Sequence, residues 1–515
     1  MKNIGIKDLL VKAAGALCFI ACCYFCACFF LKGMGGAGPG LHVKSGAKIA
    51  VALLLAYFCA GRKTYWLAVF PLSVLGALYA PAGLTYGYPD YQSFASLLAT
   101  DPQEAREFLS QIPAKSFLKA AAIPVLAWLA HFISEKLSIR PWRNKTFTLA
   151  AIAVLVAALH PTQFFEKARD AFRDNGQAAS ELEKYVSKSA WSGTSPVTEK
   201  KDYVLVIGES ARRDYFHLYG YPLENTPFLD SAPATVVDGL ESGAAWTIGS
   251  LRIMLTDPDR ERWEPRFDRN LMDLANSAGI DTWWISVQGY VGTWDTPVSS
   301  IGSRANHPVF LNRRAYDSEK HSDYELLPVF ERKLAKEASG ARLFVLHTMG
   351  SHPDACARLE DFPSAFKSKN PEYRYVACYA STIRKTDDFL SKAYGILKRE
   401  SEKSGRPFSM IYFADHGQIH RKVDGEIRIN NNACSAHHLE VPLVRFDSDA
   451  SSRKTVKAYK SGGLFTAGLA AWMGIRNPEL PEADLFSEKD DPEFKARVPD
   501  GCVTDDRAID ISPFL

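Results

Sequence analysis

Five apolar stretches crowd the first third of this chain, at roughly 13–31, 47–61, 64–80, 117–134 and 147–165. A helix needs ~20 mostly apolar residues to cross a bilayer, where each backbone polar group must be satisfied within its own segment. Residues 1–165 are therefore expected to form an α-helical membrane domain of five spans, the second and fifth being the shortest or least regular. A cleaved signal peptide accounts for the first stretch alone, and no small-residue cleavage site stands out.

Loop charge sets the direction of threading. Lys2, Lys7 and Lys12 precede the first stretch, Arg62 and Lys63 follow the second, and Lys136, Arg140, Arg143 and Lys145 follow the fourth. The positive-inside rule puts these in the cytoplasm; Lys32, Lys44 and Lys48 around the first external loop weaken the bias without reversing it. Loop 81–116 is mixed in charge and suits the far side. There Tyr86, Tyr88 and Tyr91 precede an amphipathic stretch from Asp101 to Gln111. It reads as an interfacial helix with an aromatic belt, or as a surface that helps hold a lipid. An odd number of spans delivers residues 166–515 outside the cytoplasm.

The 47% apolar average hides two unlike halves, since residues 201–515 read as mixed, charged and globular. The formal charge is only +3 and no basic block with interleaved aromatics occurs, so nucleic acid is not an expected partner. Cys18, Cys22, Cys23, Cys26, Cys28 and Cys59 lie in apolar segments, where a thiol behaves as a small hydrophobe. Cys356, Cys378, Cys434 and Cys502 lie beyond, where export favours disulfides.

Residues 166–200 are polar, helix-prone at first and then loop-like, and bridge the two halves. From 201 to 515, short β-branched runs alternate with helical patterns, which predicts an α/β domain with a largely parallel sheet. The runs Tyr203–Ile207, Arg342–His347 and Ser409–Ala414 each end directly in small or polar residues. Ligands of such sheets sit beyond the carboxyl ends of the strands, so all three ends point to one crevice.

The side chains at those ends suit a metal. Glu209 follows the first strand, His347 and His352 bracket the turn after the second, Asp415 and His416 follow the third, and His437 and His438 precede a further run, Val441–Phe446. Carboxylates with imidazoles make a normal zinc set, and an incomplete shell leaves room for a substrate oxygen. Singly each is more simply structural; jointly the clusters point to phosphoryl chemistry, in which zinc polarises an oxygen and activates a hydroxyl. Such a reaction needs a nucleophile. Thr247 and Ser250, in Ala244-Ala245-Trp246-Thr247-Ile248-Gly249-Ser250, are both available. A threonine opening a helix is usually an N-cap, a role compatible with binding phosphate there.

Several ordered segments resemble one family. They are Tyr203–Arg212 with Tyr219-Gly220-Tyr221 and Thr226-Pro227, Trp283–Gln288 with Asp295-Thr296-Pro297, and His347–His352. Tyr379 through Thr386-Asp387, Asp415-His416-Gly417 and the external segment Thr100–Ala105 continue the series. Together they are similar to the phosphoethanolamine transferases of the sulfatase/alkaline-phosphatase superfamily, including lipid A-modifying enzymes. The resemblance spans nearly the whole chain. It implies a five-helix membrane domain over 1–165, a bridge over 166–200 and a catalytic domain over 201–515, held in the periplasm at a bacterial inner membrane.

It also implies roles. Thr247 is the expected nucleophile, becoming phosphoethanolamine-modified. Glu209, Thr247, Asp415 and His416 are the expected zinc ligands, and His347 and His352 handle donor or acceptor phosphate and the leaving group. His437 or His438 supplies a last histidine, with His438 favoured, and these two with Ser250 remain candidates for substrate or second-metal binding. Arg252 stands where the family usually has proline. The implied donor is phosphatidylethanolamine, and the implied acceptor is lipid A, the lipopolysaccharide core or another envelope molecule. Cys356 with Cys378 is the preferred disulfide, flanking a loop beside His347 and His352; Cys434 with Cys502 is a second. The rivals are a glycerol-phosphate transferase of the same superfamily and an inactive membrane scaffold. A sulfatase is disfavoured because no Cys/Ser-x-Pro-x-Arg motif lies near Thr247.

Overall fold

The computed structural model describes residues 6–36, 45–85, 112–140, 189–288, 297–312, 321–423, 425–430, 435–494 and 506–515, with single positions at 109, 146 and 169. The chain divides into two compact units, Met1–Leu98 with Phe108–Gln177, and Ala99–Glu107 with Ala178–Leu515.

In the first unit, helix α1 (Ile6–Leu31) runs into a π turn at Lys32–Gly36, and α2 spans Ser45–Cys59. Helix α3 (Phe70–Thr85) is led in by Arg62–Thr64 and a π turn at Tyr65–Val69, and α4 spans Ala114–Lys136. Among the described residues three segments are long and apolar enough to cross a membrane: Leu10–Met34, Arg62–Thr85 and Ala114–Lys136. Three of the five expected spans are thus found among the described residues. The second stretch forms a shorter apolar helix over Lys48–Cys59. The fifth, 147–165, lies outside the described residues, as do Tyr86, Tyr88, Tyr91, most of Asp101–Gln111, Thr100–Ala105, the bridge through 188, Cys434 and Cys502.

The unit is packed inside out relative to a soluble bundle. One face of α3 buries Ser73, Gly76, Ala80, Pro81, Gly83 and Thr85, while Leu72, Leu75 and Leu78 are exposed. In lipid no apolar driving force separates leucine from solvent, so close backbone approach replaces it. A Cβ on Gly83 would lie 1.7 Å from the Gly33 carbonyl oxygen, a contact only glycine permits. Cys23, Cys26 and Cys59 lie in the core as free thiols, with Cys26 Sγ against the Ile123 carbonyl at 3.4 Å.

The second unit carries β1 (Asp202–Gly208), β2 (Thr235–Val237), β3 (Leu240–Glu241), β4 (Asp281–Ser286), β5 (His307–Phe310) and β6 (Arg342–His347). It continues with β7 (Phe408–Ala414), β8 (Ile419–Val423), β9 (Glu426–Asn430), β10 (Leu443–Asp447), β11 (Lys454–Val456) and β12 (Lys460–Ser461). Eight of these form one sheet in the order β11-β2-β10-β7-β1-β6-β4-β5. Strands β7, β1, β6, β4 and β5 run parallel, and β10 lies antiparallel to both β7 and β2. Strand β1 is buried along its whole length, which is why its sequence is a near-continuous apolar run rather than an alternating one. The helices of this unit include α5 (Thr247–Met254), the long α6 (Arg374–Ser404) and the single turn α7 (Ala436–Leu439). Helix α6 ends at Gly405, whose φ of +70° is the left-handed stop that glycine provides.

Register fixes where the strands finish. Ile207 pairs with His347 and Gly208 with Ala414, so β1, β6 and β7 end at one level. Their other ends are pinned by a buried clamp in which Arg342 grips Asp202 through two 2.8 Å bonds and Arg406 Nη2 adds a third at 2.9 Å. Bidentate, charge-assisted pairing of this kind resists a one-residue slip.

Candidate metal and nucleophile site

The three strand ends deliver Glu209, His347 and Asp415-His416 side by side. Glu209, Asp415 and His416 are all buried, and their ligand atoms lie within 4.8 Å of one another. Thr247 opens α5 and faces them, its Oγ1 3.1 and 3.2 Å from the two Glu209 carboxylate oxygens and 3.2 Å from His416 Nε2. The cap of α5 is Trp246 in extended conformation, and the Thr247 hydroxyl is turned into the site instead of capping the helix.

Asp415 is held asymmetrically. Its Oδ1 accepts from the backbone N–H groups of Ser210 at 2.9 Å and His416 at 2.8 Å, while its buried Oδ2 takes no hydrogen bond among the described residues. Glu209 accepts from the Ser210 hydroxyl at 2.7 Å and from Gln288 Nε2 at 3.2 Å, and Gln288 also donates to the Thr348 carbonyl at 2.8 Å.

Burial raises the Asp415 carboxyl well above the usual range, and the neighbouring Glu209 charge adds to it. For Glu209 burial acts in the same sense, but hydrogen bonding to His416 and the charges of His416 and His352 outweigh it and the carboxyl falls below its ordinary value. Burial depresses His416, yet Asp415 and Glu209 together lift it to about 9. The His416 ring thus stands between two buried acidic groups, its Nε2 3.4 Å from Glu209 Oε1 and 3.4 Å from Asp415 Oδ2. A divalent cation fits the same place better: two acidic oxygens, one of them without a hydrogen bond, and an imidazole nitrogen converge with a hydroxyl, a mixed nitrogen and oxygen donor set of the kind zinc takes.

The remaining candidates divide. His347 is buried, its Nδ1 3.1 Å from Ser286 Oγ, and burial brings it down to about 4, so the ring is neutral. His352 is half-buried, and its charge acts on Glu209. His438 is buried with its ring 5.8 Å from that of His416, whereas His437 turns away, its Nδ1 3.2 Å from Glu440 Oε2. Ser250 lies one turn behind Thr247, fully buried; its hydroxyl donates to the Asp415 carbonyl at 2.5 Å and accepts from Gly243 N–H at 3.0 Å, so it braces the site from behind. Cys356 and Cys378 are joined in a disulfide beside the His347–His352 loop.

Three contributors escape a search for ligand types. Gln288 lies just past the end of β4, and the strand-end rule that selects Glu209 reaches it too. Asp323 holds the loop between the two histidines, accepting from Met349 N–H at 2.7 Å and Gly350 N–H at 3.1 Å. Ser210 has φ of +58°, a conformation no sequence pattern announces.

An eight-stranded, mainly parallel sheet with a carboxylate–imidazole centre at its strand ends defines a domain of the sulfatase/alkaline-phosphatase type, and the sulfatase family matches residues 201–475. A Haemophilus influenzae protein named "Putative phosphoethanolamine transferase" is 43% identical over 79% of this chain and 84% of its own length. The integral membrane lipooligosaccharide phosphoethanolamine transferase A of Neisseria meningitidis superposes with a TM-score of 0.58 at 16% identity, over 90% of this chain and 96% of its own. The periplasmic domain of Escherichia coli EcEptC, crystallised with Zn, gives a TM-score of 0.50 at 19% identity, over 62% of this chain and 99% of its own. The chain belongs to the phosphoethanolamine transferases of the sulfatase/alkaline-phosphatase superfamily, with apolar N-terminal helices and a sulfatase-like α/β domain.

Proposed function

We propose that this protein transfers phosphoethanolamine from phosphatidylethanolamine to lipid A, the lipopolysaccharide core or a related envelope acceptor, through a covalent intermediate on Thr247. The observation that carries it is the Thr247 hydroxyl set within 3.2 Å of both Glu209 oxygens and His416 Nε2, at the amino end of α5. Glu209, Asp415, His416 and the Thr247 hydroxyl hold zinc in this reading. Bound there, zinc polarises a phosphoryl oxygen and makes the hydroxyl acidic. The EcEptC domain crystallised with Zn supports that choice of metal.

Thr247 Oγ1 attacks phosphorus, forming the O–P bond as the bond to the diacylglycerol oxygen breaks. In this reading His347 and His352 hold the phosphate, and the departing oxygen takes its proton from His352. An acceptor hydroxyl or phosphate then attacks the same phosphorus and frees Thr247. The backbone N–H groups opening α5 stabilise the charge that develops. Five spans with residues 166–515 in the periplasm would let a two-chain donor present its headgroup without leaving the bilayer, and the disulfide suits that oxidising compartment.

The test is to incubate the purified full chain with phosphatidylethanolamine and, separately, phosphatidylglycerol, then weigh the peptide containing Thr247. A mass gain of one phosphoethanolamine on Thr247, lost in T247A and kept in S250A, is expected. Modification at Ser250, or glycerol phosphate as the only adduct, would replace this reading; no adduct from either lipid would favour the scaffold.

A further inference from the structure

The turn after β1 touches both acidic residues of the site, and it is closed by a side chain from a distant helix. Ser210 donates its N–H to Asp415 Oδ1 at 2.9 Å and its hydroxyl to Glu209 Oε1 at 2.7 Å. It does so at φ of +58°, a left-handed conformation in which serine is uncommon. What holds it there is the hydroxyl of Tyr379 on α6. That oxygen donates to the Ser210 carbonyl at 2.7 Å and accepts the Arg212 N–H at 2.9 Å, bridging the turn across Ala211. Tyr379 is fully buried, its ring edge-on to Tyr215 at 5.1 Å.

We propose that Tyr379 is a positioning residue that sets the metal affinity of the Glu209, Asp415 and His416 trio without touching the ion, an inference that rests on reading that trio as a metal centre. The latch keeps Ser210 left-handed, and in that conformation its N–H meets Asp415 Oδ1. With His416 N–H on the same oxygen, the carboxyl is fixed with Oδ2 turned toward His416 Nε2, 3.4 Å away, and without a hydrogen bond of its own. Without the latch, Ser210 relaxes toward negative φ and its N–H leaves Oδ1. Asp415 is then free to rotate, and the ion loses an oriented ligand. Partners that hydrogen-bond a ligand directly, as Ser210 does, typically change metal affinity by about 10–100-fold when removed, and a residue acting through Ser210 falls at the lower end of that range.

The experiment is a Zn(II) titration against a competing chelator, using the full chain in detergent micelles, for wild type, Y379F, S210G and the double variant. Y379F keeps the ring and removes both hydrogen bonds. It should weaken zinc binding by about 10-fold or more in the Ser210 background. In the S210G background, where glycine adopts positive φ unaided, the same change should cost less than about threefold. The Arg212 amide should also exchange faster with solvent in metal-free Y379F than in metal-free wild type. Equal zinc affinity in wild type and Y379F, or an equal loss in both backgrounds, overturns the latch and leaves the metal centre standing. A wild-type chain that takes up no zinc overturns the metal reading itself.

Discussion

At Asp387, burial works against charge. Desolvation raises this carboxyl to about 6, although Leu229 and Phe228 donate N–H bonds to it and Arg384 lies 3.5 Å away. A carboxyl whose folded value exceeds its unfolded one favours the folded state most when neutral. Its contribution is therefore full below about pH 4 and is lost as pH climbs to about 6, an effect on the order of 3 kcal/mol. D387N should match wild type most closely near pH 4 and gain relative stability by pH 7.5, read as the difference in thermal midpoint between the two. A difference that stays constant across that range would show the carboxyl to be ionised throughout. At the proposed metal centre, E209Q should weaken zinc binding strongly while the far-ultraviolet circular dichroism holds, because a neutral amide offers the cation one weak oxygen. Ligand types at strand ends made most of these residues legible in the sequence. Thr247 and Ser250 were not separable that way, since only the direction each hydroxyl takes, one into the site and one onto the Asp415 backbone, tells them apart. His437 and His438 were likewise decided by which side of a single turn faces His416.

Among the elements, the buried strands β1, β6 and β7 could be read almost to the residue, because a strand covered on both faces must be apolar without a break. Helix lengths were less legible. Hydropathy marks where side chains prefer lipid and is blind to how far backbone hydrogen bonding continues, so the stretch expected at 64–80 runs over Arg62–Thr85. The small residues of α3 carry a prediction of their own. Replacing Gly83 by leucine forces α3 away from the Gly33 carbonyl. The expected cost is about 1–3 kcal/mol of stability in detergent, typical of overpacking. Leu78→Ala, on the exposed face, should change little. Similar melting temperatures for G83L and L78A would mean that this helix contact is not a tight one.

For the molecule as a whole, the centre should act as a staple. Chelating the metal should lower the thermal midpoint of the second unit, and zinc at a hundred times its dissociation constant should restore about 2.7 kcal/mol. Breaking the Cys356–Cys378 link, 22 positions apart, with C356S and C378S together should remove roughly 2–4 kcal/mol. A midpoint unmoved by reduction would mean that packing alone holds the histidine loop. The division into an apolar part and a globular part was plain from composition. Which pieces of the globular part become neighbours was not, because pairing partners are chosen by the whole sheet.

That sheet order has a consequence for how the protein comes into being. The segment bearing Glu209 is flanked by strands that leave the ribosome much later, and Ser210 meets a partner 205 positions downstream. Early in synthesis the chain therefore owns a hydrophobic central strand with nothing to lie beside and half of a charged centre. Loop closure over such distances is slow, so the nascent chain must shelter this strand until its neighbours arrive.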